Sequence, residues 1–220
     1  MRGKLIVIDG VDGSGKQTQA QLLYEVLKKE YKAEKIEFPN YSQPSSALIK
    51  MYLNGDFGQN PDEINPYAAS AFYTVDRFAS YKTHWEKLLN EGTIIIADRY
   101  VTSNAIHQAV KLKPEDRPAF FDWLYDFEYK KCALPEPDLV LFLDMPPSIA
   151  DSLLKNRYEG DENKKDIHEK DRDYAARCYD AAVDACVALG WEHVFCSGNG
   201  VVFDKQTIFD TILEKVKKIL

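Results

Sequence analysis

The sequence predicts an α/β fold: a five-stranded parallel sheet covered by helices on both faces. Short apolar runs rich in β-branched residues alternate with longer stretches of helical periodicity along the whole chain. Those runs are apolar on consecutive residues, the pattern of strands buried on both faces. A glycine-studded turn joins the first run directly to the first helix.

Leu5 to Ile8 is the first strand, and a helix runs from about Gly15 to Glu30. Lys35 to Phe38 is the second strand, left through Phe38-Pro39-Asn40-Tyr41. Pro44 opens a helix whose apolar face is Leu48, Ile49, Tyr52 and Leu53, and Asn54-Gly55-Asp56 ends it. Pro66 to about Asn90 reads as one long helix, with Ala69, Phe72, Tyr73, Val75, Trp85, Leu88 and Leu89 on its apolar side. Thr93 to Ala97 is the clearest buried strand and runs straight into Asp98-Arg99-Tyr100. Val101 to Val110 is helical, and Pro114 opens another helix reaching about Lys131. Asp138 to Asp144 is the fourth strand, followed by a helix ending near Arg157. Glu169 to Leu189 is helix, Trp191 to Cys196 the fifth strand, and Lys205 to Leu220 a closing amphipathic helix. No linker, repeat or low-complexity stretch interrupts this, so residues 1–220 are expected to form a single domain.

The 220 residues suffice for a real core, and the 45% hydrophobic and 29% charged content is that of a soluble protein. A net charge of −7 argues against a nucleic-acid-binding surface. No apolar run approaches membrane-span length, and residues 1–15 do not read as a signal peptide. Cys132, Cys178, Cys186 and Cys196 form no Cys-x-x-Cys pair, so free thiols in a reducing cytoplasm are expected. His84, His107, His168 and His193 show no metal-ligand spacing and read as ordinary.

Chemistry concentrates in Asp9-Gly10-Val11-Asp12-Gly13-Ser14-Gly15-Lys16-Gln17-Thr18. Strand, glycine-rich loop, Gly-Lys and helix is the P-loop arrangement for nucleotide phosphates. Glycines let backbone N–H groups converge on phosphate oxygens, the helix adds the positive end of its dipole, and Lys16 supplies a mobile charge. The place after the lysine, usually Ser or Thr, is Gln17. Asp98-Arg99 ends a strand of the same sheet and belongs at the same edge, where open α/β sheets bind ligands. A helix cap with a solvated arginine is the plainer reading of that pair. Tyr73 and Arg77 share one helix face at i, i+4, as do Asn104 and Gln108. The charged stretch 157–166 reads either as a solvated loop or as a mobile lid carrying cations.

Taken together, the chain resembles the thymidylate kinase family over essentially its whole length. The P-loop, Phe38-Pro39, Tyr73-x-x-x-Arg77, Asp98-Arg99-Tyr100 with Ser103 and Gln108, and Leu134 to Asp144 carry the resemblance. It implies a three-layer P-loop kinase fold that transfers a phosphoryl group from ATP to dTMP, with Mg²⁺. Lys16 and the loop from Gly10 to Thr18 would hold ATP, and Asp12 would also face dTMP. Phe38, Pro39, Ser103, Asn104 and Gln108 would line the dTMP site. Tyr73 would stack on thymine and Arg77 reach its carbonyl. Arg99 would clamp the dTMP phosphate, and Asp98 with Gln17 would serve the metal. Arg157 would be a catalytic lid arginine, the lid spanning about 157–168. A cytoplasmic homodimer is also implied, although the apolar helix faces around 66–90 and 101–131 are equally explained as core. Tyr41 stands where the family often has a phosphate-binding arginine.

Two rivals remain at this point. A related kinase of another nucleotide or of deoxynucleosides would need a base for a hydroxyl acceptor, and Glu37 is the only candidate at the end of the second strand. A nucleotide-operated switch would not need the second, base-sized group at Tyr73, Arg77 and Gln108.

Overall fold

Strands β1 (Leu5–Asp9), β2 (Ala33–Glu37), β3 (Ile94–Asp98), β4 (Leu139–Asp144) and β5 (Glu192–Phe195) form one sheet in the order β2-β3-β1-β4-β5, with every pairing parallel. The computed structural model describes residues 2–158 and 172–220. Every residue of β1 and β3 is buried. Successive side chains point to opposite faces, so both faces of the central sheet are covered. Helix α1 (Lys16–Leu27) packs on β1, β2 and β3 and against the closing helix α9 (Lys205–Lys217). Helix α5 (Thr102–His107) packs on α6 (Arg117–Tyr125) and α8 (Arg172–Ala188).

The sequence-expected strands all form, shifted by two residues or fewer at their starts. The expected helix over 66–90 is less regular: α3 (Pro66–Ser80) passes through a π-helical turn at Tyr81–Trp85 before α4 (Glu86–Asn90). A second π-helical segment, Asp126–Lys131, extends α6. Within α3, Val75 is 51% exposed and Phe78 43% exposed, so Val75 does not share the core-facing side with Ala69. A two-stranded antiparallel pair, β6 (Ser197–Gly198) with β7 (Val201–Val202), has no counterpart in the sequence reading. Helices α2 (Ala47–Asn54) and α7 (Pro147–Tyr158) lie where periodicity placed them. The proposed lid falls, beyond Tyr158, outside the described residues.

This order puts β1 between β3 and β4, at the point where the winding reverses. Ile8 pairs with Asp98, so β1 and β3 end side by side and open a crevice at their carboxyl edge.

Candidate active site

The crevice begins at Asp9, the last residue of β1, which is fully buried. Its carboxylate accepts from Thr102 Oγ1 at 2.5 Å, from Ser103 Oγ at 2.8 and 3.0 Å, and from the Gly10 amide at 2.8 Å. The start of α5 is thereby tied to the start of the P-loop. Gly10 must lack a side chain, because a Cβ there would lie 2.9 Å from the Leu143 carbonyl oxygen and 2.8 Å from Ser14 Oγ. Gly15 caps α1 at φ 83°, a left-handed conformation that glycine adopts without penalty. Lys16 Nζ donates to the Val11 carbonyl at 3.2 Å and to Asp12 Oδ1 at 3.3 Å. Burial lowers the Lys16 pKa, and the neighbouring Arg99 charge lowers it further.

Arg99 follows β3 with φ 66°, left-handed for a non-glycine residue. Its guanidinium bonds to Asp12 Oδ1, to Ser103 Oγ at 3.2 Å, and to His107 Nε2 at 3.0 Å. Burial opposes its charge, but Asp12, Asp9 and Asp98 outweigh burial and hold its pKa above the ordinary arginine value. Asp98 is in the opposite position. Burial raises its pKa, and Lys16 and Arg99 only partly counter that. Its Oδ1 is buried without a hydrogen-bond partner.

At the far end, α3 supplies Tyr73 and Arg77, and α5 supplies Asn104, with Gln108 just beyond its last turn. Arg77 is buried and forms a bidentate pair with Glu128, through Nε at 2.9 Å and through Nη2. Gln108 is fully buried with neither amide atom hydrogen-bonded. Asp76, between the two α3 readers, accepts from the Asn40 amide at 2.7 Å and from Ser45 Oγ at 2.6 Å, which pins the Phe38-Pro39 loop to α3. The Phe38–Pro39 peptide is cis.

One cleft of about 1010 Å³ joins the two ends. All the sequence-expected site residues line it except Gly10 and Val11, which are buried, and Arg157. Arg157 lies in the last turn of α7, and its side chain is outside the described residues. Sequence reasoning missed three features. His107, read there as ordinary, lines the cleft and holds Arg99. Glu128 is fully buried beneath Arg77 and carries no local signal of that pairing. Val202, Phe203 and Lys205 close the P-loop end from the unforeseen β6–β7 pair and the start of α9. Among the described residues, no group of three or more His, Cys, Asp or Glu side chains is placed to hold a metal, and no helix is long and apolar enough to cross a membrane.

A P-loop at one end of a cleft and a polar, aromatic-lined pocket at the other define a P-loop nucleotide kinase. The thymidylate kinase family model matches residues 8–188. Thymidylate kinase of Mycobacterium tuberculosis is 28% identical over 190 residues, covering 85% of this chain and 87% of the relative. The human enzyme of that name is 29% identical over 197 residues, covering 89% and 84%. A solved structure of thymidylate kinase from Candida albicans superimposes with a TM-score of 0.72 at 26% identity, covering 99% of this chain and 92% of that one. The chain belongs to the thymidylate kinase family, and thymidylate kinase is its activity.

Asp98 gives a stability prediction. Its folded pKa is raised, so the folded state holds this proton more tightly than the unfolded chain, and stability falls as pH rises from the ordinary aspartate value of 3.8 through the raised one. At pH 7 the charged form is therefore a net cost to the ligand-free protein. Asp98→Asn should melt at a higher temperature than wild type at pH 7, with the gap closing as pH falls below about 4. A melting curve at each pH, without nucleotide, measures it; a variant that melts lower at pH 7 contradicts the assignment.

Proposed function

We propose that the cleft residues divide the transfer of a phosphoryl group from ATP to dTMP as follows. Amides of the loop from Gly10 to Thr18, with Lys16, hold the ATP phosphates. Arg99 clamps the dTMP phosphate, and Asp12, paired with Lys16 and Arg99, faces the deoxyribose and phosphate of dTMP. Tyr73 stacks on thymine, Arg77 donates to its carbonyl, and Asn104 and Gln108 meet its edge. Phe38, Pro39 and Ser103 wall the dTMP site. Arg157, whose side chain lies outside the described residues, would supply a further cation to the transfer.

The observation that carries this reading is the placement of unpartnered polar atoms. Ser14 Oγ and Asp98 Oδ1 at the phosphate end, and both amide atoms of Gln108 at the base end, are buried and unsatisfied in one cleft. Buried polar groups find partners in nearly every protein, so a polar ligand at both ends is the economical account. Phosphoryl transfer asks mainly for alignment and charge neutralisation, and the acceptor phosphate is already an anion, so no protein nucleophile or strong base is needed. Glu37, the base that a nucleoside kinase would need, lies at the cleft wall, but its carboxylate is more than half exposed and pairs with Lys35 Nζ at 3.6 Å. That favours a phosphate acceptor over a hydroxyl acceptor.

Mg²⁺ fits this site. Asp98 presents a buried, unpartnered carboxylate oxygen, and a hard cation bound mainly by substrate phosphates and waters needs few protein ligands. Asp98 and Gln17 would hold it, where it would neutralise charge developing on the phosphates. Gln17 is exposed on the first turn of α1, and its longer stem suits contact through a water.

A homodimer is also part of the reading. Tyr67, Val75 and Phe78 fall on one side of α3, all more than 40% exposed, an apolar strip suited to a second copy of itself. A cytoplasmic setting agrees with four free cysteines.

An acceptor screen tests the assignment: dTMP should be turned over well ahead of dCMP and dGMP, and ATP hydrolysis without acceptor should be slow. Arg99→Ala should lower kcat by about 10²–10³, the usual loss for one electrostatic contact in a water-poor site, and weaken dTMP more than ATP. Intact dTMP binding in that variant would remove the clamp role. In a Mg²⁺ titration, Gln17→Ala should cost less than about tenfold, since the nucleotide's own phosphates would still hold the ion; a loss of several hundredfold would make Gln17 a direct ligand. Light scattering should give twice 25.2 kDa for wild type and half that for Val75→Asp, and a monomeric wild type would end the dimer reading.

A further inference from the structure

Behind the base end of the cleft lies a carboxylate that does not reach the cleft surface. Glu128 sits in the π-helical segment Asp126–Lys131 and is fully buried. Its Oε2 accepts from Arg77 Nε at 2.9 Å. Its Oε1 accepts from Thr74 Oγ1 at 3.0 Å, from Arg77 Nη2, and from Asn104 Nδ2 at 3.5 Å. Arg77 Nη1 donates to the Tyr100 carbonyl at 3.3 Å, and Asn104 Nδ2 to the Ser70 carbonyl at 3.4 Å. Both Arg77 and Asn104 line the cleft; Glu128 does not.

We propose that Glu128 is a positioning residue that sets the hydrogen-bond polarity of the base end, fixing a donor on Arg77 beside an acceptor on Asn104 and so selecting bases that carry a carbonyl next to an imide N–H. This rests on the reading of Arg77 and Asn104 as base contacts.

Arginine has five N–H donors and no acceptor. Three are engaged by Glu128 and Tyr100, leaving one on each terminal nitrogen for a ligand. Asparagine alone carries no fixed polarity, because turning its amide over exchanges donor for acceptor. Here both amide N–H contacts go to protein oxygens, which leaves the carbonyl oxygen as the group for a ligand. An ionised Glu128 only accepts, so a reversed Asn104 amide would set oxygen against carboxylate. Thymine and uracil present O4, an acceptor, beside N3–H, a donor. Cytosine presents an amino donor beside a bare N3 acceptor and mismatches at both positions. In a buried site each mismatch strands a polar group, which is where large discrimination arises.

The acceptors dUMP and dCMP differ only at the 4-substituent and the N3 proton, so their kcat/KM ratio isolates polarity from the thymine methyl. Wild type should favour dUMP by more than about 10². Glu128→Gln keeps the shape, but an amide N–H in the place of Oε1 permits the reversed Asn104 and opposes the Arg77 Nη2 donor, so both halves of the polarity weaken. Its dUMP:dCMP ratio should fall at least about tenfold while the KM for ATP holds, a change of about 1.4 kcal/mol. A purely structural role would lower both acceptors together and leave the ratio alone. Should Glu128→Gln not fold, Glu128→Asp retains the charge beside Arg77 while withdrawing the carboxylate by one methylene from Asn104, and its ratio should fall as well. Folded variants that keep the wild-type ratio overturn the proposal alone. A wild type that does not prefer dUMP overturns both the proposal and the base-contact reading.

Discussion

The buried carboxylate of Asp9 is the interaction on which the site depends. An isolated carboxylate taken out of water costs several kcal/mol even after the protein relaxes. Here the donors that offset this cost come from different parts of the chain: the Gly10 amide in the loop, and the Thr102 and Ser103 hydroxyls in the first turn of α5. No one segment satisfies the anion. It is stable only when the end of β1, the P-loop and the start of α5 are docked together. Ser103 also accepts from Arg99, so the same contact orients the cation at the end of β3.

The charged groups around this anion fall into two kinds. Arg99 and Arg77 already face protein carboxylates, and both are held more firmly cationic than a free arginine despite burial. Lys16 and Asp98 are pushed by burial toward their neutral forms. The two arginines keep their charge and fix the geometry of the cleft, while burial leaves Lys16 and Asp98 only partly compensated by the charges around them. Phosphates beside Lys16 and a cation beside Asp98 would reverse both shifts, so part of the binding energy relieves a cost that folding imposed. Perturbed ionisable groups cluster at functional sites for this reason.

Much of this was legible in the sequence, for identifiable reasons. Strands buried on both faces must be apolar at consecutive positions, so β1, β3 and β4 announced themselves. The P-loop is contiguous, so its chemistry could be read directly. Legibility failed where partners are distant or elements are short. Glu128 lies 51 residues from Arg77, and nothing in Asp126–Lys131 marks its middle as buried and ion-paired. His107 has no local spacing signal, because its partner Arg99 is brought to it by the left turn after β3. The two-residue strands β6 and β7 are too short to carry a period. Val75 misled for another reason. Val75 lies six residues from Ala69, about 120° around the helix axis, so the helical period itself separates the two rather than grouping them on one face.

The backbone at Arg99 shows how position and charge were reconciled. A non-glycine residue in the left-handed region carries a penalty of about 1–2 kcal/mol. Glycine would avoid it but could not supply a guanidinium. The conformation persists because the surroundings over-determine it: the Arg99 amide donates to the Ile8 carbonyl at 3.1 Å, and the side chain is bound to Asp12, Ser103 and His107. A left-handed residue at the end of a strand turns the chain sharply, which lets α5 begin at once and bring Thr102 and Ser103 back over Asp9. The strain at Arg99 and the satisfaction of Asp9 are therefore one structural event. The first places a cation on the rigid edge of the sheet, and the second supplies the hydrogen bonds that keep it there.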